Sequence, residues 1–143
     1  MPIKTKEQKY YGILAAMDWN SRQWQAPATE DDLTNSLFGF VVDNGITYTS
    51  LNFAHELSGL GKEEYYSGLV PHFYKKTPDP KKFKDVQIVF LRSRDWDKGK
   101  TYIVGFYAFP SIVRSQKTVI NGNSEVILKT NIQALVKDIH LLD

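Results

Sequence analysis

The sequence contains no cysteine, so neither a disulfide nor a thiolate-bound metal is available to it. Long apolar runs are missing as well, and no stretch approaches the roughly eighteen residues that a membrane-spanning helix requires. The opening Met-Pro-Ile-Lys-Thr-Lys is polar and lacks the apolar centre of a secretory signal. The expectation is a cytoplasmic protein without a membrane partner. Histidine is scarce: His55, His72 and His140 are the only three, and they have no close partners in sequence from which to build a zinc site. No Gly-x-Ser-x-Gly elbow surrounds any serine. Gly59-Leu60-Gly61-Lys62 lacks both the first glycine of a phosphate loop and the Ser or Thr that follows its lysine. Asp95 and Asp97 flank Trp96 without a third carboxylate nearby, so they read as solvated turn acids. These absences argue against an enzyme and against a bound cofactor, and leave a binding domain.

What is present fits one domain. A chain of 143 residues, 42% of them apolar, is long enough to bury a core, and the whole of 1–143 reads as a single recognition module from a longer protein. The net charge of +2 hides an asymmetry. Seven acids and one lysine lie between Glu30 and Glu64, whereas eleven bases and four acids lie between Lys75 and Lys117. Such a split gives a surface a negative and a positive side. Two solvated loops of opposite sign would give the same count; the sharper reading is that Lys75–Lys84 and Arg92–Lys100 form one face suited to a polyanion.

Tyr10–Met17 is a short apolar run that suits a buried first strand, and Asp18–Pro27 follows as a loop. Thr29 and Asp32 have capping-box spacing and open a short helix ending near Ser36. Phe38–Val42 and Ile46–Ser50 flank Asp43-Asn44-Gly45, a hairpin signal. Asn52–Leu60 reads as a second helix stopped by Gly59 and Gly61. Tyr65–Lys84, with three prolines, reads as loop. Val86–Leu91 and Thr101–Phe109 are strong strands, expected to pair antiparallel at the centre of a curved sheet. The charged stretch Arg92–Lys100 between them reads as a protruding loop. Val119–Ile120 and Val126–Leu128 flank Asn121-Gly122-Asn123 as a further hairpin. Asn131–Leu142 fits either a helix face or a strand, and the strand reading is preferred. The sum is an α+β domain of five to seven mostly antiparallel strands with two or three short helices.

Aromatic residues form 13% of the chain, more than a small core needs. Trp19 and Trp24 stand among Asp18, Asn20, Ser21 and Arg22, and Trp96 sits at a hairpin tip. A tryptophan in such company is a lid over the core or a stacking platform. Three of them beside Arg92, Arg94, Lys98 and Lys100 make a composition that grips nucleobases.

Asp85-Val86-Gln87-Ile88-Val89-Phe90-Leu91-Arg92, a charged turn, and then Thr101-Tyr102-Ile103-Val104-Gly105-Phe106-Tyr107 resemble the core hairpin of PUA-like domains, including the EVE and YTH groups. Ile13–Met17 running into Asp18-Trp19 is similar to their early strand and tryptophan loop, and Phe38–Gly45 to a later hairpin. The chain departs from the EVE pattern in having no Trp-Asp-Gly-Val-Arg run. It resembles most the N-terminal modules of McrB-like and HNH-associated modification-dependent restriction enzymes. That resemblance implies a curved PUA-like barrel and a reader of a modified or flipped base, with DNA preferred to RNA. It also implies a nuclease or NTPase partner in the same system. A flipped base would stack on Trp19 or Trp24, with Asp18, Asn20 and Ser21 at its polar edge. Arg92, Arg94, Lys98, Lys100 and the Lys75–Lys84 loop would hold phosphates. The alternative from the residues alone is a protein-interaction module whose aromatic loop is the contact patch.

Overall fold

Alternation of inward and outward side chains governs the centre of the molecule. In β5 (Val86–Asp95) Val89, Leu91, Ser93 and Asp95 are buried, while Arg92 and Arg94 are exposed. The period of two therefore puts both arginines on one face. The computed structural model describes residues 11–35, 41–43, 46–71, 78–121 and 124–142. Its other strands are β1 (Tyr11–Ala16), β2 (Val41–Asp43), β3 (Ile46–Thr47), β4 (Tyr65–Gly68), β6 (Lys100–Ala108), β7 (Ser111–Asn121), β8 (Ser124–Leu135) and β9 (Ile139–Leu141). Among the described residues there are also two short helices, α1 (Glu30–Thr34) and α2 (Pro80–Phe83), and 3₁₀ turns at His55–Leu57 and Val136–Asp138.

The protein is mostly β. A mixed sheet runs in the order β1-β5-β6-β9, an antiparallel sheet in the order β4-β8-β7, and β2 pairs with β3. As the two apolar runs predict, β5 and β6 are antiparallel neighbours at the middle of their sheet, with Phe90 opposite Phe106. β1 joins β5 in parallel, with Leu14 opposite Phe90, so the sheet departs from a purely antiparallel plan. Among the described residues the sheets stay separate and do not close into a ring of strands. Tyr107, Phe53, Met17, Leu91, Val89 and Ile132 fill the space between them.

Several expectations change. Arg92–Asp95 is strand rather than loop, because Ser93 and Asp95 are buried with their hydrogen bonds satisfied: the Ser93 hydroxyl donates to the Met17 carbonyl at 2.7 Å, and Asp95 Oδ1 accepts the Asp97 N–H at 2.9 Å. The turn shrinks to Trp96–Gly99, and Asp95 is a buried turn clasp rather than a solvated acid. Asn52–Leu60 is not a helix, and only His55–Leu57 makes a 3₁₀ turn. The buried Asn52 amide instead exchanges two hydrogen bonds with the Leu69 backbone, each 2.8 Å, and the Phe53 N–H goes to the Trp24 carbonyl. Within Tyr65–Lys84, the sequence conceals β4, which pairs with Leu135–Ile132 of β8, and α2, whose first turn is capped by Asp79. Asn131 clasps both backbone groups of Val70, at 2.7 and 2.9 Å, as a strand would.

Other expectations stand. Thr29 and Asp32 form the capping box at the start of α1. The 121–124 hairpin forms but is far longer than the short apolar runs suggest. The C-terminal segment is strand apart from the Val136–Asp138 turn. β2 and β3 form a small hairpin, but its second arm stops at Thr47 and Tyr48–Ser50 is turn, where the Ser50 N–H donates to the Thr47 carbonyl; Phe38 to Phe40, Asn44 and Gly45 lie outside the described residues, as do Lys75, Lys76 and His72. Gly105 shows why a strand glycine sits there: a side chain would run into the Phe53 ring and the His140 carbonyl. Beside it the β5–β6 register slips, Leu91 facing Gly105 but Arg92 facing Ile103, which leaves Val104 as a bulge.

Candidate nucleic-acid interface

β1 delivers Met17, Asp18 and Trp19 to the same end of the mixed sheet at which β5 delivers Arg92 and Arg94. The Met17 N–H continues the parallel pairing by donating to the Arg92 carbonyl at 3.0 Å. The loop that follows is tied to itself. Asn20 is buried, its amide donates to the Ala26 carbonyl at 2.9 Å and its oxygen accepts the Arg22 N–H at 2.8 Å. Gln23 and Trp24 then adopt positive φ values of 61° and 58°, unusual for residues with side chains. This reversal turns the Trp24 ring into the core, where it is 2% exposed. Its indole N–H donates to the Asp18 carbonyl at 2.9 Å, and its ring meets Phe53 edge-on at 6.4 Å. Trp19 stays half-buried, edge-on to Trp24 at 5.5 Å.

Asp32, at the third position of α1, holds the site together. One carboxylate oxygen accepts the Ser21 hydroxyl at 2.7 Å and the Trp96 indole N–H at 2.9 Å. The other accepts the backbone N–H groups of Ser21 at 2.8 Å and Thr29 at 3.1 Å. Burial acts to raise the Asp32 pKa, but these donors together outweigh it and keep the pKa below the usual aspartate value. A single carboxylate thus fixes the tryptophan loop, the start of α1 and the β5–β6 turn to one another. The sequence shows the capping box but gives no hint of the Trp96 contact, which spans 64 residues.

The result is a cleft of about 500 Å³ bordered by Asp18 and Trp19 from the first loop, Arg92 and Arg94 from β5, and Trp96 from the turn. Met17, Asp32 and Thr101 border it too. A hollow of this volume lies within the range for small ligands. Two indole rings supply flat apolar surface and two exposed guanidinium groups supply donors.

Of the residues singled out from the sequence, Asp18, Trp19, Arg92, Arg94 and Trp96 come together at this cleft. Trp24 does not offer a ring face to a ligand, because it is part of the core. Asn20 and Ser21 do not present a free polar edge either, since their side chains are committed to Ala26, Arg22 and Asp32. Lys98 borders a neighbouring hollow, and Arg22 and Lys100 are exposed beyond the cleft.

The basic stretch does not make one compact patch. Lys81 and Lys84 lie by the start of β5 and Arg92 and Arg94 near its end, about 25 Å apart at the rise of an extended strand. Lys117 turns inward: its amine donates to the Ser67 carbonyl at 2.7 Å and lies 4.1 Å from the centre of the Tyr66 ring. Burial lowers its pKa to about 8. The acidic side is closer to the site than its place in the sequence suggests, because α1 with Glu30, Asp31 and Asp32 adjoins the cleft.

Among the described residues no three His, Asp or Glu side chains gather as a metal site, and no helix is long and apolar enough to cross a membrane. No protein-family model matches the chain, and comparison with curated proteins and with solved structures also returned no match.

Proposed function

We propose that this protein is a PUA-like nucleic-acid reader that accepts an extruded base, modified or not, between Trp19 and Trp96. The observation that carries the reading is the convergence of two tryptophans and two arginines, from residues 19 and 92–96, on one cleft of about 500 Å³. The indoles stack on the base, and Arg92 and Arg94 engage phosphates. Asp32 acts as a positioning residue by holding Trp96 and the Trp19 loop in place. The acidic α1 repels phosphate, so the strand leaves the cleft along β5 and the β5–β6 turn. The module supplies recognition, and chemistry on the nucleic acid belongs to a nuclease or motor partner.

The test is a binding screen of the full chain against methylated and unmodified oligonucleotides, as DNA and as RNA, over a range of salt. One base or modification should be preferred, with DNA bound more tightly than RNA. Replacing Arg92 and Arg94 with alanine should weaken binding to every sequence alike and reduce the salt slope by about one per lost phosphate contact. Affinity for no oligonucleotide, even in low salt, would rule the reading out.

A further inference from the structure

Trp19 borders a second hollow as well, of about 390 Å³. Adjacent residues of β6 serve the two spaces: Thr101 borders the first cleft, Tyr102 and Ile103 the second. Tyr102, Ile103 and Leu142 are 39%, 49% and 44% exposed there, an unusual amount of large apolar surface to leave in water at one spot. Beyond the Val104 bulge Arg92 pairs with Ile103 and Ser93 with Tyr102 in regular register, so the two side chains leave opposite faces of β6, and this end of the strand is exposed on both. The Tyr102 ring centre lies 6.1 Å from that of Trp19. Lys98 supplies a cation, whereas the buried carboxylate of Asp95 is occupied by the turn N–H groups of Asp97 and Lys98.

We propose that this second hollow binds the nucleobase next to the extruded one, so that two consecutive nucleotides lie on either side of the Trp19 partition. The inference rests on the base-reading function above. Continuity through Trp19 argues for the same strand in both spaces, and the Tyr102 ring beside Trp19 offers a stacking place, with Ile103 and Leu142 adding apolar lining. Lys98 stands where the intervening phosphate passes. Of the polar residues that border this space, Asn20, Ser21 and Asp95 are committed within the protein, which leaves Gln23 and Lys98 beside the stacking surface, so a base is held there mainly by stacking and discriminated weakly.

The probe is a short single-stranded DNA with one methylated cytosine or adenine among thymines, compared with RNA of the same sequence. In a second set the nucleotide on one or the other side of the methylated base is made abasic. For the wild-type chain, removing the base on one side should weaken binding about 5- to 150-fold, the worth of one stacked base, while exchanging that base for another should change little. Tyr102→Ala should bind the intact probe weakly by a similar factor and become indifferent to the abasic site. Tyr102→Phe, which keeps the ring, should behave as wild type and shows that the effect is not one of folding. Trp96→Ala should lose preference for the methylated base yet keep the abasic penalty.

No abasic penalty on either side, with Trp96→Ala still impaired, would overturn this inference and leave the base-reading function standing. Wild-type affinity in Tyr102→Ala with the penalty intact would overturn it too, because the neighbouring base would then lie outside this hollow. Failure of every probe to bind the wild-type chain removes both proposals.

Discussion

Trp19 and Trp24 occupy one loop and share the same polar neighbours in sequence, yet one is core and the other borders the cleft. The difference lies in the backbone between them. Asn20 folds the loop on itself, and the positive φ values at Gln23 and Trp24 carry the second ring back under the first. Trp24 then satisfies its indole N–H on Asp18 and packs on Phe53. Trp19 stays half-buried and borders both hollows. A polar neighbourhood in sequence therefore says that a loop is anchored by hydrogen bonds, not that its aromatic residues are exposed.

The sharpest way to break this comparison is to truncate each ring. Trp24→Ala should lower stability by about 3–5 kcal/mol, the usual cost of emptying a buried aromatic site. Trp19→Ala should lower it by about 1 kcal/mol, typical of a partly buried position. Denaturant titration of both variants checks this, and equal losses would mean that Trp19 is as much a core residue as Trp24.

Asp32 holds the cleft side of the comparison. Asp32→Ala strands four donors, of which solvent can recover some, so a loss of about 2–4 kcal/mol is expected from unsatisfied buried groups at ~1–3 each. The pH dependence has a definite sign. Its folded pKa lies below the unfolded value, so its contribution is complete above the unfolded pKa and is lost as pH falls through the lowered one. Urea titrations at falling pH should show that acid loss in the wild type and not in Asp32→Ala.

The smallest effect belongs to the core side. His55, next but one to the Phe53 on which Trp24 packs, is 5% exposed, and its Nδ1 makes no hydrogen bond among the described residues. Burial lowers its pKa, reinforced by His140, with Glu56 and a backbone hydrogen bond to Ile139 opposing. Because the folded pKa is depressed, stability is whole above about pH 6.5 and falls as pH drops toward the lowered value, by at most ~1.4 kcal/mol per pH unit. The slope between pH 7 and pH 5 should flatten in His55→Gln. An unchanged slope would place the titration elsewhere.

The parts of the fold legible in the sequence were those written in local pattern. The apolar runs of β1, β5 and β6 and the Thr29 capping box can all be read from neighbouring residues. Arg92–Asp95 was illegible because a charged tetrapeptide continues as strand only when Ser93 finds the Met17 carbonyl and Asp95 finds its own turn. β4 was hidden for a similar reason: Tyr65–Gly68 lacks alternation and depends on β8 and on Asn52 and Asn131, all distant in sequence. At the cleft, residue types in the sequence brought Asp18, Trp19, Arg92, Arg94 and Trp96 to attention. The anchoring roles of Asn20, Ser21 and Asp32 were not visible, because each depends on a hydrogen bond closed only by folding.

The central claim is that Trp19 and Trp96 grip a nucleobase. The most direct measurement compares wild type, Trp19→Ala and Trp96→Ala for affinity toward the best-bound methylated oligonucleotide and its unmodified counterpart, alongside denaturation curves. Each variant should remain folded, lose about 1–3 kcal/mol of binding and bind the two oligonucleotides alike. A folded Trp96→Ala that keeps wild-type affinity and preference would contradict the account.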